Sequence, residues 1–210
     1  MNSKERLVAA IEHRPTDRLP VTTHHLMPSF LNNYMDGASN MEFFEQFGLD
    51  PIDWQMAYTF DPKRGEYFDP QHTEMGFLEA RRVISDNWII RLENLEGYDY
   101  PTQRFNIVTP EKTLSMILQS NEHTTWVKEH LLKEKADIDI IAKYMSYPLC
   151  DVDQINKQAD EFGDSALLRG HIMAFVGFGQ PGCWQDAACL FGIEPLIMAT
   201  FEDPQWVHAF

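Results

Sequence analysis

Ala166-Leu-Leu-Arg-Gly-His-Ile-Met-Ala-Phe175 is the stretch whose reading decides the fold. Its length and apolar content fit a buried strand, and Gly177, Gly179, Pro181 and Gly182 break the chain into a loop directly after it. A helical pattern then runs from Trp184. Asp203-Pro204 supplies a further helix start, with Asp as N-cap and Pro at the first helical position. Strand, glycine-rich loop and helix make one βα unit, and such loops carry the chemistry of α/β enzymes. Alternation along the strand predicts two faces. Leu168, Gly170, Ile172, Ala174 and Val176 form a small, apolar face that packs under helices. Arg169, His171, Met173 and Phe175 form the other, facing a barrel interior or a cleft.

Working outward, Asp151 is placed to cap a helix bearing Val152, Ile155, Ala159 and Phe162, stopped by Gly163. Asp137 is placed to cap another bearing Ile138, Ile141, Ala142 and Met145. Residues 86–135 read differently. Trp88–Leu92, Arg104–Val108, Thr113–Gln119 and Thr125–Leu131 are short β-like runs separated by turns such as Glu96-Gly97 and Thr109-Pro110. This predicts an antiparallel insertion. Ile52–Phe60 alternates, with Trp54, Met56, Tyr58 and Phe60 on one face, which predicts a strand ending at Asp61. A charged loop over Pro62–Gln71 is expected after it.

Nearer the N-terminus, a helix capped by Ser3 carries Leu7, Ala10 and Ile11 on one face and ends at Arg14-Pro15. Leu19–His25 is expected as a first strand, with His24 and His25 at its C-terminal end. Short helices follow over Phe30–Tyr34 and Met41–Phe47, the second closed by Gly48. Alternating strands and helices predict an α/β fold with a parallel sheet. Only about three parallel strands are found, whereas a (β/α)8 TIM barrel needs eight in about 250 residues. Residues 1–210 are therefore expected to be a single barrel-type domain, incomplete and the N-terminal part of something longer, with 86–135 inserted in it.

A formal net charge of −15 argues against nucleic acid as a partner, because phosphate binding needs clustered Lys and Arg. No apolar run reaches membrane-spanning length and the N-terminus lacks a signal-peptide apolar region, so a cytoplasmic location without a membrane partner is expected. Cys150, Cys183 and Cys189 are too few and scattered for a disulfide framework.

Asn2-Ser-Lys-Glu-Arg-Leu-Val-Ala-Ala-Ile-Glu-His-Arg-Pro-Thr-Asp-Arg-Leu-Pro-Val21 resembles the opening of the uroporphyrinogen decarboxylase superfamily. Gly170, Gln180-Pro181, Trp184-Gln-Asp-Ala-Ala188, Gly192 and Glu202-Asp-Pro-Gln-Trp-Val207 are similar to a later block of that family, while the middle of the chain is only loosely similar. The resemblance implies a (β/α)8 barrel and either decarboxylation or corrinoid-dependent methyl transfer. True decarboxylases carry Arg-Gln-Ala-Gly-Arg after Pro-Val, whose arginines hold porphyrin carboxylates. Here the run is His24-His-Leu-Met-Pro-Ser29, with His25 and Ser29 in those places, and the family's central aspartate falls near Ala57. The expected function is thus methyl transfer to or from a corrinoid (cobalamin-type) cofactor or a corrinoid protein. Uroporphyrinogen decarboxylase, in tetrapyrrole biosynthesis, is the alternative, and a non-catalytic fragment or assembly module is a third; among partners, a small-molecule methyl donor or acceptor and a second copy of the chain in a homo-oligomer are expected. The methyltransferases bind zinc through His-x-Cys and a further cysteine, which the resemblance places beyond Phe210, so no metal ligand is expected in this chain.

The residues expected at a barrel mouth are Asp61 and His25 as catalytic groups, since Thr23 with His25 and Thr59 with Asp61 share inward parity. His24, His171, Gln180, Trp184 and Gln185 are the expected substrate contacts. Three of them have a plainer reading beside the functional one. Asp61 before Pro62 suits a turn, His171 beside Arg169 suits a satisfied interior network, and Trp184 suits the core.

Overall fold

The computed structural model describes residues 1–23, 26–55, 57–72, 81–121, 124–170 and 182–210, with the side chain of Gln55 excepted. In chain order these form helices α1 (Ser3–Ile11), α2 (Pro28–Tyr34) and α3 (Asn40–Gln46), then strands β1 (Ile52–Gln55) and β2 (Tyr58–Thr59). A 3-10 turn (Pro62–Arg64) leads to β3 (Glu66–Phe68), β4 (Val83–Ser85), β5 (Ile89–Leu95), β6 (Thr102–Val108), β7 (Thr113–Ser120) and β8 (Thr125–Glu129). Next come α4 (Asp137–Tyr144), β9 (Leu149–Cys150), α5 (Val152–Phe162) and β10 (Leu167–Gly170). The chain closes with α6 (Cys183–Phe191), α7 (Ile193–Glu202) and α8 (Pro204–Ala209). Two compact units result: residues 1–58, 76–79 and 150–171, and residues 59–75, 80–149 and 172–210.

The first unit is built on a parallel pair. β1 and β10 run side by side with Ile52 opposite Leu167 and Gln55 opposite Gly170. Helix α1 packs against β10 and α5 against β1. Leu7, Ala9, Leu31, Phe44, Ala57 and Ala166 are its buried apolar residues. Capping explains where its helices begin. Asn2, not Ser3, caps α1, in a reciprocal box with Glu5; Ser39 and Glu42 do the same for α3. Asp151 caps α5 by accepting from the Gln154 N–H, and Gly163 ends it as expected.

Leu19–Thr23 is not a strand. Pro20 offers no N–H for a ladder and Leu19 is 80% exposed, and no described strand pairs with the segment. It is pinned instead by Asp50, whose N–H donates to the Val21 carbonyl at 2.7 Å and whose carboxylate accepts the Val21 N–H at 3.0 Å.

The second unit holds the main apolar core. β5, β6, β7 and β8 form one antiparallel sheet in that order, with a register shift between Ile117 and Leu118. Its pleat places Ile90, Phe105, Ile107, Leu114, Met116, Leu118 and Val127 on one face. Those residues pack with Trp88, Leu131, Leu132, Ile141 of α4 and Leu190 of α6. The opposite face carries polar pairs such as Arg104 with Glu93 at 2.9 Å. The antiparallel character expected for this stretch is therefore present. The stretch expected as pure loop after Asp61 instead contains a 3-10 turn and β3, which pairs antiparallel with β4. Glu66 at the start of β3 is buried, and a buried glutamate amid charged neighbours hides a strand from any hydropathy reading.

The architecture is mixed α/β with several separate sheets, and the described residues form no closed barrel. No helix among them is long and apolar enough to cross a membrane.

Candidate functional site

The parallel register brings Trp54 and Arg169 opposite each other, so the pleat puts them on one face of the pair. The Arg169 guanidinium carbon lies 3.4 Å from the centroid of the Trp54 ring. Both side chains are half-buried. Burial lowers the Arg169 pKa from its usual value, because water is lost from around the charge. Stacking on an indole face offsets part of that loss, by about 1 kcal/mol for such contacts. The consequence is a planar, oriented cation one residue from the C-terminal ends of two parallel strands. In open α/β sheets that end is where ligands bind.

Tyr58 lies just past β1 in the same unit. Its hydroxyl is buried and has no hydrogen-bond partner among the described residues. Burial, followed by the nearby Cys150 thiol, pushes its pKa up to about 12, so it is a protonated donor at neutral pH.

The conspicuous charges of the opening segment are spoken for. Asp50, fully buried, accepts Arg6 Nη1 at 2.5 Å and both terminal nitrogens of Arg18 at 2.8 Å. Asp17 accepts Arg6 Nε at 2.6 Å and pairs with the Met1 amine at 3.3 Å. Burial works to raise the Asp50 carboxyl, but the Val21 N–H, Ser3, Arg6 and Arg18 outweigh it and hold it below the ordinary carboxylate range. Asp17-Arg18 of the Asp-Arg-x-Pro-Val segment thus clamps α1 to the chain leaving it.

Of the residues expected at the site, His24, His25, His171 and Gln180 lie outside the described residues. Asp61, in the second unit, caps the 3-10 turn: its carboxylate accepts the Lys63 N–H at 2.9 Å and its own N–H donates to Glu66 at 3.1 Å. Trp184 and Gln185 are exposed in the first turn of α6. Beside them Asp186 is half-buried, and burial raises its carboxyl to about 6. Cys189, one turn on, is also raised, by burial and then by the Asp186 charge. His130 Nδ1 lies 2.9 Å from the Cys189 carbonyl oxygen.

No group of three His, Cys, Asp or Glu among the described residues could hold a metal ion. Reading by sequence missed the Trp54–Arg169 stack and Asp186. The stack had a signal, since each residue's parity is readable, but the partner register that joins them is not. Comparison with protein-family models, characterised proteins and solved structures finds no match to this chain.

Proposed function

We propose that this chain is a barrel-type methyltransferase similar to the uroporphyrinogen decarboxylase superfamily, moving a methyl group to or from a corrinoid or a corrinoid protein. One observation carries the reading. The Asp17-Arg18-Leu-Pro-Val21 opening leads into His24-His-Leu-Met-Pro-Ser29, so the paired arginines that a porphyrin decarboxylase needs for its carboxylates are replaced. Two features support it. The ion pairs of Asp17 and Arg18 give that opening a structural reason to exist, and β1 with β10 supplies a parallel pair with α1 and α5 packed against it. An incomplete (β/α)8 barrel is the arrangement such a pair would belong to.

In this reading the corrinoid supplies the methyl-carrying cobalt, and the chain's own side chains bind and orient the organic partner. Arg169 on Trp54 offers the charge for that task, and Tyr58 a donor hydroxyl. The test is incubation of the full chain with methylcobalamin and a panel of thiol acceptors, followed by the corrinoid's visible spectrum. Demethylation above the enzyme-free rate is expected. No demethylation, together with decarboxylation of uroporphyrinogen, reverses the assignment.

A further inference from the structure

We propose that the aromatic face of α2 and α3 is a docking surface for a basic, apolar-anchored segment of a partner protein. The proposal goes beyond the methyl-transfer reading and needs no part of it. Four rings are linked in series across the two helices: Tyr34 with Phe30 at 5.7 Å between centroids, Phe30 edge-on to Phe43 at 6.1 Å, and Phe43 with Phe47 at 4.7 Å. Helical spacing explains the series, because Phe30 with Tyr34 and Phe43 with Phe47 are each four residues apart and share a face. Leu31 and Phe44 are the buried residues of these helices. The rings are left outside, with Tyr34 76%, Phe47 52% and Phe30 40% exposed. Singly exposed apolar residues are ordinary, whereas exposed aromatics in contact with one another mark a recognition surface.

Charge selects the occupant. From Leu19 to Pro62 the sequence has no lysine or arginine, and Asp36, Glu42 and Glu45 are exposed on the turn and helix beside the rings. A second copy would set these carboxylates against their like, on a chain whose net charge is already −15. Anionic lipid is repelled for the same reason. Arginine fits both halves of the surface, since its guanidinium stacks on ring faces and its fork takes carboxylate oxygens. Rings in series over two helices extend past the reach of one small organic cation and suit a segment that presents several side chains. Aliphatic residues of that segment cover the rings while its cations meet the carboxylates.

Fluorescence anisotropy of the full chain tests the surface, with a labelled amphipathic helix of leucine and arginine, about 15 residues long, as the probe. A leucine–glutamate peptide and a serine–arginine peptide separate the apolar from the charged contribution. Saturable binding of the leucine–arginine peptide at one site per chain is expected, with both counterparts at least tenfold weaker. Tyr34→Ser with Phe47→Ser should weaken it at least tenfold. Tyr34→Ser alone, at the most exposed ring, should weaken it severalfold with an unchanged urea midpoint, which covers the case in which the double variant misfolds. Asp36→Asn with Glu45→Gln should weaken it severalfold and flatten its salt dependence; Glu42 is left in place because it caps α3. No saturation, equal binding of either counterpart, or unchanged binding by Tyr34→Ser would each overturn the proposal. So would a concentration-dependent dimer, or adsorption to phosphatidylcholine vesicles, that the double serine variant abolishes, because the occupant would then be a second copy or a lipid surface.

Discussion

Asp137 is 1% exposed and still carries its charge. Burial works to raise its carboxyl, but Lys112 at 2.5 Å and the N–H groups of Lys133 and Glu134 outweigh it and hold it below the ordinary range. Because the folded pKa is depressed, the stabilisation is present above the ordinary carboxylate pKa and is lost as pH falls through the folded value. Asp137→Asn should therefore cost about 2–3 kcal/mol at pH 7, since the single amide oxygen can accept from Lys112 or from the two backbone N–H groups but not from both, and the amide N–H₂ then faces a donor on the other side. Urea midpoints at pH 7 and pH 3 check this, and the gap between variant and parent should narrow at the lower pH. Asp186 behaves oppositely. Burial raises it to about 6, so its ionised form burdens the fold above that pH and the burden fades as pH falls toward 4. Asp186→Asn should be more stable than the parent at pH 8 and equal to it near pH 4, again by urea midpoint. Neither charge was legible in the sequence. Asp137 read as a helix cap, yet it occupies the first helical position after Ala136, and its lysine partner sits 25 residues away.

At the scale of elements, chemistry that acts over a few residues was readable. Asp151 and Gly163 bound α5 and Asp203-Pro204 opens α8 as expected, because caps are decided by neighbours three or four positions off. Gly48 likewise closes α3 with φ at 61°. The stretch Leu19–Thr23 misled because apolar content alone does not supply a partner strand. At Asp61 the turn reading that stood beside the site reading is visible: Pro62 turns the chain and the Asp61 carboxylate accepts the Lys63 N–H. Gly192 joins α6 to α7 with φ at 101°, and an added Cβ would lie 3.1 Å from Pro195 Cγ and 3.2 Å from the His130 ring. Gly192→Ala should thus combine backbone strain with a clash and cost about 1–3 kcal/mol. Thermal unfolding measures it, and a variant as stable as the parent would remove this account of the joint.

For the whole molecule, class was legible and closure was not. Alternation over 52–60 read as one strand, but the chain divides there into β1 and β2 in separate sheets. Of the strand read over 166–175 the described residues show Leu167–Gly170, while 86–135 announced antiparallel strands by short runs and tight turns. Which strand lies beside which depends on contacts between distant segments, and local pattern is blind to those. Arg169 comes to lie opposite Trp54 because β1 and β10 run parallel at this register. The most direct measurement is thiol crosslinking in a chain whose Cys150, Cys183 and Cys189 are replaced by serine. Gln55→Cys with Gly170→Cys, treated with the short bifunctional reagent dibromobimane, should crosslink within one molecule, because those positions are register partners and Gly170 has room for a side chain. Ile52→Cys with Gly170→Cys sits three residues out of register, about 10 Å along the strand, and should not. Crosslinking of the second pair and not the first would mean an antiparallel or shifted pairing, and would contradict the parallel strands on which the site is built.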